Sequence, residues 1–205
     1  VPEPATVATI IDRRLSDLTH QAQTLMHLAA VADADLTVPR AARILKCSAL
    51  ELAAPWAELE AQGVLAGTRF CHDLMREAAL AQVPGAVRQA LHGALAEVLA
   101  DDVAVPSARL AGHWQAAGRW AEAGEAHLLA ARAAHRAGRL ADHGDLLLRA
   151  AENFDQAGLA ERRVDALCLR LDSELVRLGG QAVVDQVAPL LAQATPRQRA
   201  DLLQV

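Results

Sequence analysis

The residues of this chain whose type and position could do chemistry are chiefly histidines, and His72 stands apart from the other seven. It follows the short run Arg69-Phe70-Cys71 and precedes Asp73, where a helical pattern resumes. The first amides of a helix have no intrahelical partner, and together with the helix dipole they favour an anion. An imidazole at that point can add one more donor to a phosphate oxygen, with Arg69 and Arg76 close enough in sequence to contribute. The competing reading is purely structural: Asp73 takes the same amides, and His72 is an ordinary residue at a helix start.

The other candidates point away from catalysis. His127, His135 and His143 recur every eight residues, which on one helix is about 800°, or roughly 80° past two full turns. Gly138 also interrupts the run, so a facing metal trio is not expected, and surface or interhelix positions are. Cys47, Cys71 and Cys168 are too few and too scattered for a disulfide frame or a thiolate zinc site, and buried free thiols in a reducing cytosol are expected. The pairs Asp101-Asp102 and Glu122/Glu125 read as solvated faces. A Gly-rich phosphate loop ending in Lys and Ser or Thr, a GxSxG turn and an HExxH helix are all missing from the sequence. No catalytic residue, metal or cofactor is therefore assigned to the chain itself.

The elements that must position His72 are helical. The 205 residues include 47 Ala and 32 Leu, both strong helix formers, but no Tyr and only 2% aromatics, which argues against sheet folds and base-stacking surfaces. The net charge of −5 is shared, with 7 basic against 10 acidic residues up to Ala86 and 13 against 15 beyond it. Neither part carries a nucleic-acid footprint. No apolar run approaches the roughly 20 residues that span a bilayer, and no basic-then-apolar leader opens the chain. A soluble cytoplasmic protein is expected, and the start at Val1 is read as a piece of a longer chain.

Helical periodicity places Val7, Ile10, Ile11, Leu15 and Leu18 on one stripe of a first helix opened by Pro4. A second helix is expected from Gln21 to about Ala32 behind Thr19, and a third from Val38 to about Lys46 capped by Thr37. Ser48 and Glu51 have the spacing of a capping box for a fourth, which Gly63 would stop. Pro55 falls inside it, so a kink or early break is expected. Val64-Leu65-Ala66, Gly67-Thr68 and Arg69-Phe70-Cys71 read as a hairpin. A helix from Asp73 to about Val83 and another after Pro84-Gly85 complete the order of a winged-helix module. Its fourth helix carries Glu51, Glu58 and Glu60 and no basic residue from Ala49 to Gln62, so protein contact rather than DNA reading is expected of it.

Past a hinge at 101–106, glycines recur at 118, 138 and 158, with Gly179-Gly180 one period later. Twenty residues hold a helix of about 17 and a turn, and two such units make a helical hairpin of the length found in repeat families. The expectation is an all-α chain: a winged-helix switch module over 1–84, a connecting helix and hinge over 85–106, and a stack of antiparallel, tetratricopeptide-like helix pairs over 107–205. Leu167, Leu171, Leu175 and Leu178 form one seam, and Trp114, Trp120 and Phe154 are placed between helices.

Several segments carry a resemblance: Ile10-Ile11-Asp12-Arg13-Arg14-Leu15-Ser16-Asp17-Leu18, Leu25-Met26-His27-Leu28-Ala29-Ala30-Val31-Ala32, and Phe70-Cys71-His72-Asp73-Leu74-Met75-Arg76-Glu77-Ala78. Arg88-Gln89-Ala90-Leu91-His92 and Leu110-Ala111-Gly112-His113-Trp114 follow in order. In type and spacing these resemble the segment after the nucleotide-binding domain of bacterial STAND-type signalling ATPases, above all the large ATP-binding transcriptional regulators of the LuxR type. Cys71 and Pro55 depart from that pattern, standing where Arg and an ordinary helix former are expected. Beyond residue 138 the likeness is only to generic helical repeats.

The resemblance implies a non-catalytic regulatory segment of an ATPase that binds ATP or ADP with Mg in its parent chain. The implied partners are the upstream nucleotide-binding domain and a protein or small-molecule inducer at the repeats, with no direct nucleic-acid or membrane contact. His72 matches the histidine that, in that family, reaches the nucleotide phosphates. The same cassette in a nucleotide cyclase or protein kinase, or a free-standing helical scaffold, are the alternative settings. The acidic fourth helix gives a direct expectation: the chain has no useful DNA affinity near physiological salt. Mobility-shift titration at two salt concentrations checks this, and specific binding that weakens steeply with salt would contradict it.

Overall fold

The computed structural model describes residues 7–102, 104–174 and 187–202. It is mostly helical, with one two-stranded antiparallel sheet. The chain divides into two compact units, Val1–Asp101 and Asp102–Val205.

The first unit contains α1 (Val7–Ser16), α2 (His20–Ala32), a 3-10 turn (Asp33–Asp35), α3 (Val38–Leu45), α4 (Ala53–Ala61), β1 (Leu65–Ala66), β2 (Arg69–Phe70), α5 (Asp73–Gln82) and α6 (Gly85–Ala100). Its centre is α2, which buries Ala22, Leu25, Met26, Leu28 and all of Ala29 to Ala32. With so many small residues this helix can be surrounded, and it packs against α4, α5 and α6. Thr19 caps it as expected, its hydroxyl accepting from Ala22 N at 3.3 Å. The helix expected as a connector, α6, buries Leu95, Ala96 and Leu99 and packs on α2 and α3. Only the C-terminal half of the α1 stripe is covered: Leu15 and Leu18 are buried, while Val7 and Ile10 are exposed. Periodicity defines the face of a helix but not the length over which a neighbour covers it. Pro4 lies outside the described residues.

The fourth helix corrects one expectation. Ser48 and Glu51 do close a capping box, Ser48 N donating to Glu51 Oε2 at 2.8 Å and Glu51 N to Ser48 Oγ at 3.2 Å. The residues after it form turns, and regular helix begins only at Ala53. Pro55 therefore falls in the first turn, where its missing N–H costs no helical hydrogen bond, and no kink in mid-helix results. The helix ends at Gly63 (φ +62°), with Gly63 N on Glu60 O and Val64 N on Leu59 O, both at 2.9 Å. The expected hairpin follows, with Leu65 opposite Phe70 and Ala66 opposite Arg69.

The second unit contains α7 (Ser107–Ala116), α8 (Trp120–Arg136), α9 (Leu140–Gln156), α10 (Ala160–Glu174) and α11 (Pro196–Leu202), with residues 187–191 also helical. The expected period is realised as one stop motif used three times. Gly118, Gly138 and Gly158 have φ of +73°, +71° and +70°. Each donates three residues back, and the residue after each donates five back, as in Arg119 N to Trp114 O at 2.9 Å and Leu159 N to Phe154 O at 2.8 Å. These turns reverse the chain, so α7 packs on α8, α8 on α9 and α9 on α10. Gly179, Gly180, Leu175 and Leu178 lie outside the described residues; Leu171 of that seam is buried and Leu167 half-buried.

Of the large aromatics, Trp114 and Phe154 are buried and Trp120 half-buried. Phe154 is fully enclosed and anchors a cluster with Leu128, Ala131, Leu147, Ala150 and Ala166. Its ring lies where the Cβ of any other residue at position 124 would be: a Cβ on Gly124 would stand 2.5 Å from Phe154 Cε1. Gly124→Ala therefore gains about 1 kcal/mol of helix propensity but loses about 1–3 kcal/mol to overpacking, and is expected to lower stability in denaturant titration. In a Phe154→Leu background, where the space opens, the same change is expected to be neutral or stabilising. Equal effects in both backgrounds would show that this contact does not set the helix spacing.

Candidate functional site

His72 is held at its position by a chain of polar contacts that begins on α4. Trp56 Nε1 donates to Gly67 O at 3.0 Å, and Gly67 N donates to Glu60 Oε1 at 3.2 Å, so the hairpin tip is docked on α4 through both backbone polar groups of one residue. Cys71 N then donates to Val64 O at 3.0 Å, extending the strand pairing by one bond. The chain enters α5 at His72, which is extended (φ −146°, ψ 141°), and whose carbonyl accepts from Met75 N and Arg76 N. The imidazole makes no capping bond and is exposed. Arg69 and Asp73 are exposed beside it in sequence, and Arg76 is half-buried. The site thus presents a solvent-facing imidazole at the start of a ten-residue helix.

The three glutamates of the acidic segment are structural. Glu51 closes the capping box and Glu60 holds the hairpin tip. Glu58 takes the Thr19 hydroxyl and the Thr19 amide, the latter at 2.8 Å, and so ties α4 to the start of α2. These bonds hold the Glu58 carboxyl below its usual range, the hydroxyl of Thr19 contributing most and its amide next. Negative charge on this helix is thus committed to the fold of the unit.

The histidines of the second unit separate into two roles. His127 is buried, and its Nδ1 lies 3.0 Å from Asn153 Nδ2. Asn153 Nδ2 also donates to Arg149 O, which fixes it as the amide nitrogen, and Asn153 Oδ1 accepts from Gln115 Nε2 at 3.0 Å. His127 Nδ1 is therefore the acceptor, so the neutral ring carries its proton on Nε2. One network joins α7, α8 and α9. Burial lowers the pKa of His127, and the charge of Arg149 lowers it further.

His135 and His143 meet instead at the surface, their ring centroids 4.9 Å apart. His143 Nδ1 lies 2.9 Å from Ala131 O, which can only accept, so the proton sits on Nδ1. Single-helix arithmetic could not find this pair because His143 belongs to the next helix, and the reversal at Gly138 brings it opposite His135. The two rings, with Arg132 and Arg136, border a groove floored by leucines of α8 and α9. The signal that could have located it is the placement of the two histidines within five residues on either side of a helix-stopping glycine.

The remaining candidates are accounted for. Asp101 pairs with Arg43, Glu122 with Arg119 and Glu125 with Arg162, so these carboxylates are partners of arginines and not acid/base couples. All three cysteines are free but half-buried, less enclosed than expected. Among the described residues no group of His, Cys, Asp and Glu could hold a metal ion, and no helix is long and apolar enough to cross a membrane. No known protein family, curated protein or solved structure matches the chain.

The His127 network makes the second unit sensitive to acid. A histidine whose native pKa is lowered contributes stability that is complete above its unfolded value of about 6.5 and is lost as pH falls through the native value. Protonation also removes the acceptor that Asn153 needs. The unfolding midpoint is expected to fall between pH 7.5 and 5 more steeply in the wild type than in His127→Gln. Parallel pH profiles of the two proteins would contradict this role.

Proposed function

We propose that this chain is a non-catalytic relay segment of a cytoplasmic ATP-dependent transcriptional regulator of the STAND type. In this reading the first unit is a winged-helix module whose hairpin is the wing, and the second begins a tetratricopeptide-like array. The observation that carries the reading is the presentation of His72: a clamped hairpin delivers an exposed imidazole, unused for capping, to the start of α5. One donor and one set of helix amides suit a phosphate contact completed by an upstream nucleotide-binding domain, but they do not make a nucleotide site alone. Mg-bound ATP or ADP in the parent chain supplies the charge that His72 senses. Contact in one nucleotide state and not in the other couples that state to the position of the module, because only differential contacts shift a conformational equilibrium. The helix pairs of the second unit receive the inducer or partner.

Two measurements test this. The 205-residue chain is expected to show no micromolar ATP or ADP affinity by calorimetry; such affinity would mean that a complete nucleotide site lies within it. In the parent chain, His72→Ala is expected to weaken ADP retention and alter basal output. Stability is expected to change by no more than about 0.5 kcal/mol, since the exposed ring makes no capping bond. His92→Ala, inside α6, is the control. Wild-type retention and output in His72→Ala would overturn the assignment.

A further inference from the structure

The groove on the second unit encloses about 730 Å³, within the roughly 300–1,000 Å³ typical of small-molecule sites. Its floor is Leu128 and Leu147, both buried, and its walls include Leu129 and Leu169, which are 53% and 45% exposed. Leucines that exposed around a concave apolar floor gain from being covered. Among the described residues the rest of the lining is Arg132, His135, Arg136 and His143, none of them acidic.

The charge pattern is more specific than the shape. Four other arginines of this unit are paired with carboxylates: Arg119 with Glu122, Arg139 with Asp142, Arg162 with Glu125 and Arg163 with Asp155. Arg132 and Arg136, one turn apart on α8, have no carboxylate partner among the described residues. A chain with a net charge of −5 thus keeps two unneutralised guanidiniums and two imidazoles at the edge of one apolar groove.

We propose that this groove binds a single-chain amphiphile with an anionic head, of the medium-chain carboxylate class. The tail lies on Leu128, Leu147, Leu129 and Leu169, and the head is held by Arg132 and Arg136, whose fork geometry suits a carboxylate. A peptide is a poorer fit. The described lining side chains are four leucines, two arginines and two histidines, so the N–H groups of a buried peptide would find few acceptors among them. That such a ligand is the inducer rests on the regulatory reading above; the binding itself does not.

The test is calorimetric titration of the 205-residue chain with dodecanoate below its micelle concentration, beside dodecyl phosphate, dodecanol and dodecyltrimethylammonium. One-to-one dodecanoate binding is expected, with dodecanol and the cationic amphiphile at least about tenfold weaker. Dodecyl phosphate, binding no tighter than dodecanoate, identifies the head as a carboxylate; a tenfold preference for the phosphate would overturn that class. Arg132→Gln/Arg136→Gln, checked for unchanged helicity, is expected to lose about tenfold or more in dodecanoate affinity. Absence of dodecanoate binding, equal binding of the cationic amphiphile, or full affinity in the double variant would each overturn the proposal. The head-group comparison needs only the wild-type protein and so stands even if the double variant fails to fold. Binding without any effect of His72→Ala on ADP retention would sink the relay reading and leave the groove intact. The reverse result would remove the ligand and leave the relay.

Discussion

The ring of Phe154 lies against the bare backbone of Gly124, and the second unit is arranged around that contact. An alanine-rich chain with so few aromatics can fill its interior only by bringing helix axes close together. Gly124 removes the one side chain that would stand between α8 and a large ring on α9, while Ala131, Ala150, Ala151 and Ala166 line the rest of the seam. Close approach leaves no room for an unpaired polar group, which is why His127, Asn153 and Gln115 bond to one another across three helices. It also pushes the longer side chains outward. Leu129, Arg132 and Arg136 of α8 emerge on the groove side, so the same packing that closes the core builds the surface to which a ligand is assigned.

The first unit solves a different problem. Its hairpin has two residues per strand and could not persist without support. Support comes from α4, through Trp56 and Glu60, and α4 is in turn tied to α2 through Glu58 and Thr19. Charge in this unit therefore acts locally, as hydrogen-bond acceptors for exposed amides and hydroxyls. His72 inherits its position from that sequence of clamps, and its own side chain is left out of them.

Much of this is legible in the sequence. Thr19, Thr37, the Ser48/Glu51 box and the glycines at 63, 118, 138 and 158 act through bonds within a few residues, so local sequence shows them directly. Pro55 does not kink its helix, because a capping box marks where a chain turns and not where regular helix starts; the delayed start at Ala53 places the proline in the first turn. The exposed half of the α1 stripe, the Gly124–Phe154 contact and the pairing of His135 with His143 depend on which helices become neighbours and over what length. That information is non-local, and a periodic pattern on one helix does not contain it. Only for the two histidines was a partial signal present, in their placement on either side of Gly138.

The proposed relay has a nucleotide-facing imidazole on one unit and a ligand-bearing groove on the other. Its central claim concerns a single distance in the ADP-bound parent chain: that between the imidazole of His72 and the nearest phosphate oxygen. A separation of about 3 Å, within hydrogen-bond range, is the predicted result. A His72 ring more than about 6 Å from every phosphate, with the α5 N-terminus facing solvent, is beyond even a bridging water and would contradict the account.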